Sequence, residues 1–171
     1  MKVTDLIVDI LEDYGVEHVF MVVGGGSMHL NDSIGKSKLK YICMHHEQGC
    51  AIAAEGYAKA SGKLAVVCVT TCPGSTNTLT GVIGAWVDSV PMLIISGQVR
   101  QKWIAKPPLR QLGDQEGDII SMVNPITKYC KRITKPSMTK QVMDRAIKMA
   151  TTGRKAPVWV EVPMDIQEAN V

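Results

Sequence analysis

The sequence predicts an α/β protein: a three-layer α/β/α domain around a mostly parallel central sheet of about six strands. Strand-like runs alternate with helical patterns along the whole chain, the arrangement that gives right-handed crossovers and parallel pairing. Two of those runs, "KLAVVCVT" (63–70) and "VPMLIISG" (90–97), are apolar through their centres, as strands covered on both faces are. Gly, Pro, Ser, Thr or Asn residues punctuate most of the joins. A length of 171 residues suits one hydrophobic core, so residues 1–171 are read as one domain.

Taken in order, Thr4 is positioned to cap a first helix whose stripe is Leu6, Ile7, Ile10 and Leu11 and which Gly15 ends. "EHVFMVV" (17–23) reads as a short strand. "GGGS" (24–27) follows as a tight turn, with Ser27 starting a helix to about Ile34. "LKYICM" (39–44) is the second strand, and a helix from about Glu47 to Ser61 ends at Gly62. After "KLAVVCVT", Pro73 and Gly74 predict a turn, and Ser75, Thr76 and Asn77 supply caps for a helix reaching about Trp86. "VPMLIISG" is the next buried strand. From Gln98 to Asn124 the periodicity fails, and a segment of that length inside a compact domain is often functional. A short strand near "ITKYCKRI" (126–133), a helix from Ser137 or Met138 to Thr152, and a last strand "APVWVEVP" (156–163) complete the order.

Composition narrows the function classes. Charged residues are 20% of the chain and the net charge is +3, which gives no reason to expect nucleic acid as a partner. The five cysteines, Cys43, Cys50, Cys68, Cys72 and Cys130, show no metal-like pair spacing and mostly lie in apolar stretches, which fits reduced thiols. "MKVTDLIVDILEDYG" has acids every few residues and no long apolar run, so the expectation is a soluble, cytoplasmic chain without a membrane partner.

In parallel α/β folds, ligands collect outside the carboxyl ends of the strands. Three segments fall there. "GGGS" could cradle a phosphate, serve close packing, or line another ligand. It lacks both GxGxxG and a Walker lysine, and His29 beyond it reads as solvent-facing or capping. "HHEQG" (45–49) places Glu47 at a helix start, where an anion is favourable by about 0.3 to 1 kcal/mol. The small apolar residues after it, Ala51, Ile52, Ala53, Ala54 and Gly56, give almost no polar cover. A carboxylate partly buried there must be hydrogen-bonded or shift its pKa upward, and it is suited to share a proton with a buried ligand nitrogen. A metal is disfavoured because the HHE triplet lacks the i, i+4 spacing of HExxH. In "TCPGSTN" (71–77), Cys72 at a helix start is a conceivable nucleophile, but the sequence offers it no general base.

Together these segments resemble the amino-terminal, pyrimidine-binding domain of thiamine-diphosphate-dependent enzymes, in the acetolactate synthase large-subunit branch. The pieces are "GVEHVFMVVGGGSMHLNDSI", "HHEQGCAIAAEGYAKASGK", "TTCPGSTNTLTGVIGAWVDSVPMLIISGQV", "PITKY" and "GRKAPVWVEVPMDIQ", collinear over nearly the whole chain. The resemblance implies the thiamine-diphosphate-binding fold. It also implies that Glu47 is the activating glutamate, which bonds N1' of the cofactor aminopyrimidine and favours the tautomer that takes the thiazolium C2 proton. The carbanion so formed attacks a 2-keto acid. By the same resemblance Gly25 and Gly26 approach the cofactor, and Pro73, Gly74 and Asn77 match the turn beside its pyrimidine, with Cys72 where the family carries glycine. His46 matches the histidine before the glutamate, while His45 stands in place of an arginine. Gln115 and Glu116 match a substrate-side pair, and Asp114 replaces the phenylalanine that precedes it. A carboxylate in place of an apolar wall implies a different, polyhydroxylated or sugar-linked keto substrate.

The family's second half-site, a diphosphate-binding domain marked by GDG that holds Mg2+, has no counterpart in this sequence. The expectation is a domain of a longer enzyme that works as a homodimer or tetramer, each site completed by the diphosphate-binding domain of a partner subunit. The domain alone is then expected to be inactive, and a FAD site, where such an enzyme retains one, would lie mostly in a middle domain. Helices carrying Ala53, Ala54, Ala58, Gly84, Ala85 and Trp86 could pack against a second copy, or the alanines could face their own sheet. A non-catalytic scaffold is the alternative from another class.

Overall fold

The computed structural model describes residues 1–171. Helix α1 (Val3–Asp13) leads to strand β1 (His18–Met21), then a 3-10 turn (Gly25–Ser27), α2 (Met28–Gly35) and β2 (Lys40–Cys43). Next come α3 (Glu47–Ser61), β3 (Ala65–Val69), α4 (Cys72–Asn77), α5 (Leu79–Val87) and β4 (Met92–Gln98). The remainder holds α6 (Ile119–Val123), β5 (Tyr129–Arg132), α7 (Thr139–Thr151), β6 (Pro157–Pro163) and α8 (Met164–Gln167).

All six strands pair in parallel, in the order β2-β1-β3-β4-β6-β5. The chain leaves β1 toward one edge and returns to β3 on its other side, so the direction in which strands are added reverses between β1 and β3. The crevice beyond their carboxyl ends is where a parallel sheet offers a ligand site.

Alternation along the strands builds the two other layers. Val19, Val66, Leu93, Ile95, Val158 and Val160 pack with α1, α2 and α7 on one face. Phe20, Val67, Val69, Ile94 and Trp159 pack with α3, α5 and α6 on the other. Strands β3, β4 and β6 are buried throughout, in keeping with their largely apolar runs, whereas β2 lies at an edge and is exposed along its length. Trp159 is fully buried and its indole N–H donates to Ser96 Oγ at 2.8 Å, which satisfies the only polar atom it carries inward.

Several local expectations are corrected. Lys2, not Thr4, is the N-cap of α1, because Lys2 bridges Asn170 and its N–H donates to the Asp5 carboxylate at 3.1 Å. Thr4 is buried within the helix and accepts from Ser33 Oγ at 2.8 Å. Pro73 and Gly74 lie inside α4 rather than in a turn before a helix; proline suits this first turn, whose N–H would be unpaired anyway. Gln98 belongs to β4, and the segment after it ends in α6, which was too short for periodicity to reveal. Of the two placements open to the small helix residues, packing on their own sheet holds for Ala54, Ala58 and Ala85, which are buried in this chain's core. Gly84 faces its own Glu55, and Trp86 alone of the set is exposed.

Candidate functional site

The loops after β1 and β3, adjacent in the sheet, meet at the crevice. Gly26 N–H donates to Thr70 Oγ1 at 3.0 Å, which ties the glycine turn to the end of β3. A Cβ on Gly24 would sit 2.5 Å from Thr70 Cβ, and one on Gly26 would sit 2.4 Å from Thr71 Cγ2, so neither position tolerates a side chain. Gly25 differs: nothing lies within 4 Å of where its Cβ would be. The turn therefore presents bare backbone to open space at its centre, and close packing fixes it on either side.

Helix α3 begins at the end of β2. His46 is its N-cap, in extended conformation, and its Nδ1 accepts from Gln48 N–H at 3.2 Å. With Nδ1 accepting, Nε2 carries the proton of a neutral ring. Glu47 follows in the first turn and is only 9% exposed. Its Oε2 accepts from Asn77 Nδ2 at 2.9 Å, so the carboxylate is hydrogen-bonded as its burial demands. Its Oε1 lies against Gly74, where an added Cβ would come within 3.1 Å. A glycine in α4 thus makes the room that the acid occupies. The negative charge of Glu47, after burial, helps push the neighbouring Cys50 thiol up to about 11.

Helix α4 holds this arrangement through its own hydroxyls. Ser75 Oγ donates to Thr70 O at 2.9 Å and Thr76 Oγ1 to Cys72 O at 2.9 Å. At its start, Cys72 is half-buried, and its thiol is raised by burial and then by the charges of Glu161, Glu116 and Asp118. A raised thiol pKa argues against the nucleophile considered from sequence, because burial first and then the nearby carboxylates disfavour the thiolate.

Contacts join Gly26 to Thr70, Thr70 to Gly74, Gly74 to Glu47 and Glu47 to Asn77 in one group, which Gly25, Pro73 and the N-cap His46 flank in the chain. Asp114 and Gln115 make no contact with that group. Asp114 is exposed beside a hollow of about 370 Å³ lined by Val99, Arg100, Trp103 and Met164. Gln115 is exposed at φ +53°, a left-handed conformation uncommon for a residue with a side chain. Glu116 acts within its loop, accepting from the N–H groups of Ala105, Leu112 and Gly113 at 2.9, 3.0 and 3.4 Å. The segment still reaches the crevice at Gly117, where an added Cβ would lie 2.4 Å from Cys72 Sγ. No group of three or more His, Cys, Asp or Glu side chains is placed to hold a metal ion, and no helix is long and apolar enough to cross a membrane.

Sequence reasoning missed a polar cluster beside this site. Glu161, fully buried on β6, accepts from Gln98 Nε2 at 2.8 Å and from Arg132 Nε. Burial raises its carboxyl pKa despite the guanidinium. The signal was present: a charge in the middle of "VWVEVP" requires a partner in a strand that is otherwise core.

Comparison with known proteins gives a consistent picture. Residues 1–122 match the family model described as "Thiamine pyrophosphate enzyme, N-terminal TPP binding domain". The acetolactate synthase large subunit of Lactococcus lactis is 38% identical over 169 residues, covering 98% of this chain and 28% of that protein. The probable acetolactate synthase large subunit of Methanocaldococcus jannaschii is 37% identical over 171 residues, covering 100% of this chain and 28% of the relative. For the chloroplastic acetolactate synthase of Arabidopsis thaliana the identity is 38% over 168 residues, 98% of this chain and 24% of the plant protein. The chain thus spans about a quarter of the length of the curated relatives it matches.

Proposed function

Given that this chain belongs to the thiamine pyrophosphate enzyme N-terminal TPP-binding domain family, we propose that it is the pyrimidine-binding half of an enzyme that decarboxylates a 2-keto acid and passes the resulting carbanion to an acceptor, with Glu47 as the activating acid. The observation that carries this reading is Glu47: a residue 9% exposed whose carboxylate is bonded on one oxygen by Asn77 and given room by Gly74.

The residues present fit an aminopyrimidine. A buried carboxylate offers an acceptor to a protonated ring nitrogen, and the backbone at Gly25 faces open space that a ring can enter. Bound thiamine diphosphate supplies a carbanion nucleophile and an electron sink. The chain's own contribution is to accept and return a proton at Glu47, to orient that carboxylate through Asn77, and to keep water from it. Mg2+ and the diphosphate would be held by a diphosphate-binding domain of a partner subunit, so this domain by itself would have little affinity for the cofactor and no turnover. A dimer or tetramer in the cytoplasm is the assembly this reading calls for.

Asp114 favours a second reading of the substrate. It sets an exposed carboxylate at a hollow otherwise lined largely by Val99, Trp103, Leu112 and Met164, where an acid is of use to a polyhydroxylated or sugar-linked keto acid rather than to an apolar one. In the longer protein carrying this chain, Glu47→Gln should fold normally and lose exchange of the cofactor C2 proton by several orders of magnitude. Unchanged exchange refutes the assignment. Asp114→Phe should impair a hydroxylated substrate more than pyruvate, and equal effects on both remove the second reading.

A further inference from the structure

Glycine-rich turns and long irregular loops share a weakness: they have few side chains to bury, so their position must come from hydrogen bonds to the backbone. Both walls of the crevice are of this kind, the turn at Gly24–Ser27 and the excursion from Val99 to Asp118. Besides their local contacts, each is bonded at a glycine carbonyl by one buried glutamine.

Gln98, at the end of β4, is 1% exposed, and Gln167, at the end of α8, is 0% exposed. Gln98 Nε2 donates to Glu161 Oε1 at 2.8 Å and to Gly117 O at 3.0 Å. Its Oε1 accepts from Val99 N–H at 2.9 Å, which fixes the way the amide faces. Gln167 Nε2 donates to Val162 O at 2.8 Å and to Gly26 O at 2.7 Å. In each pair one acceptor belongs to β6, at the adjacent residues 161 and 162, and the other is a glycine carbonyl in a wall of the crevice. A carboxamide nitrogen is the one uncharged side-chain group that donates two N–H bonds from a single atom; a carboxylate donates none and a thioether none.

Close packing surrounds both glycines. Gly26 O rests on the backbone of β4, where a Cβ on Gly97 would come within 2.0 Å of it. Gly117 is pressed against Cys72 Sγ. The anchors differ in kind: Gln167 hangs from a strand carbonyl, and Gln98 from a carboxylate that Arg132 holds in turn.

We infer that Gln98 and Gln167 are paired positioning residues, anchored at neighbouring positions of β6, which separately fix the Gly117 wall and the Gly26 wall of the crevice. Calling the first wall substrate-side and the second cofactor-side rests on the function proposed above.

The test uses Gln98→Met and Gln167→Met in this chain, followed by amide hydrogen exchange read by mass spectrometry. Gln98→Met should speed exchange in residues 110–118 by about tenfold or more, equivalent to about 1.4 kcal/mol, and leave residues 22–28 unchanged. Gln167→Met should do the reverse. Both variants loosening both walls alike, or neither, overturns the inference. Should either variant lose cooperative unfolding, the unaltered chain decides by NMR: the side-chain amide protons of Gln98 and Gln167 exchange slowly if each bridges two acceptors, and exchange at the free-glutamine rate overturns it. In the longer protein, Gln98→Met should raise KM for the 2-keto acid and Gln167→Met the half-saturating cofactor concentration. A crossed exchange pattern with both constants moving together keeps the two clamps and overturns the functional labels of the walls.

Discussion

Replacing Gly56 by alanine and Gly81 by alanine should move stability in opposite directions, although both are glycines within adjoining helices. Gly56 is exposed on α3 and nothing lies within 4 Å of where its Cβ would be. There Gly56→Ala gains helix propensity and narrows the unfolded ensemble, about 0.5 to 1 kcal/mol of stabilisation. Gly81 sits where α5 crosses α3, and its Cβ would lie 2.5 Å from Ala51 Cβ, 2.8 Å from Ala51 C and 3.0 Å from Ile52 N. Two of these are backbone atoms, so no rotamer change relieves the contact, and the helices must part by about 1 Å to reach ordinary van der Waals distance. Overpacking of this sort costs about 1 to 3 kcal/mol, and a rigid contact belongs at the upper end. Less a helix gain of up to about 1 kcal/mol, Gly81→Ala should lose about 2 kcal/mol. With a urea dependence of about 2 kcal/mol per molar, the unfolding midpoint should fall by about 1 M for Gly81→Ala and rise by about 0.25 to 0.5 M for Gly56→Ala. Circular dichroism against urea measures both. Midpoints that move the same way, or a Gly81→Ala midpoint at or above the parent's, would show that the α3–α5 approach is not as close as described.

The thiols give a second prediction. Burial pushes Cys68 to about 12, and burial with the Glu47 charge pushes Cys50 to about 11, while Cys43 is exposed. At pH 8 a disulfide reagent should label Cys43 first, Cys72 and Cys130 more slowly, and Cys50 and Cys68 only on unfolding; five thiols reacting at one rate would contradict the described core. A third concerns Glu161, whose carboxyl is raised from its ordinary 4.5 by burial. Between the unfolded and folded values the unfolded chain binds fewer protons, so this group's contribution is full below about pH 4.5 and is lost as pH rises through the folded value. Relative to Glu161→Gln, the parent should therefore lose stability from about pH 4.5 upward in urea titrations at stepped pH, and parallel profiles for the two would remove the claim.

Much of this molecule was legible in its sequence because the signals were local. The period of the apolar residues separated strands from helices, and α3 runs from Glu47 to Ser61 with Gly62 left-handed after it, because a helix start and a glycine stop are written in neighbouring residues. The same logic placed the glycine turn, Glu47 and the α4 segment at strand carboxyl ends. What failed was decided at a distance. Thr4 lost the capping position to Lys2 through a bridge to Asn170 at the other end of the chain, and the four-residue helix α8 is too short to show a period.

The sequence by itself determined the order of elements, the two apolar faces of the sheet and an acid at the head of α3, since each follows from residues within a few positions of one another. Tertiary structure alone decided the strand order that sets the loops after β1 and β3 side by side. It alone brought Asn77 to Glu47 across 30 positions, cleared space with Gly74 and hung both crevice walls from β6. Those contacts join groups remote in the chain, and their geometry depends on how two helical layers settle on a shared sheet, which no local pattern encodes.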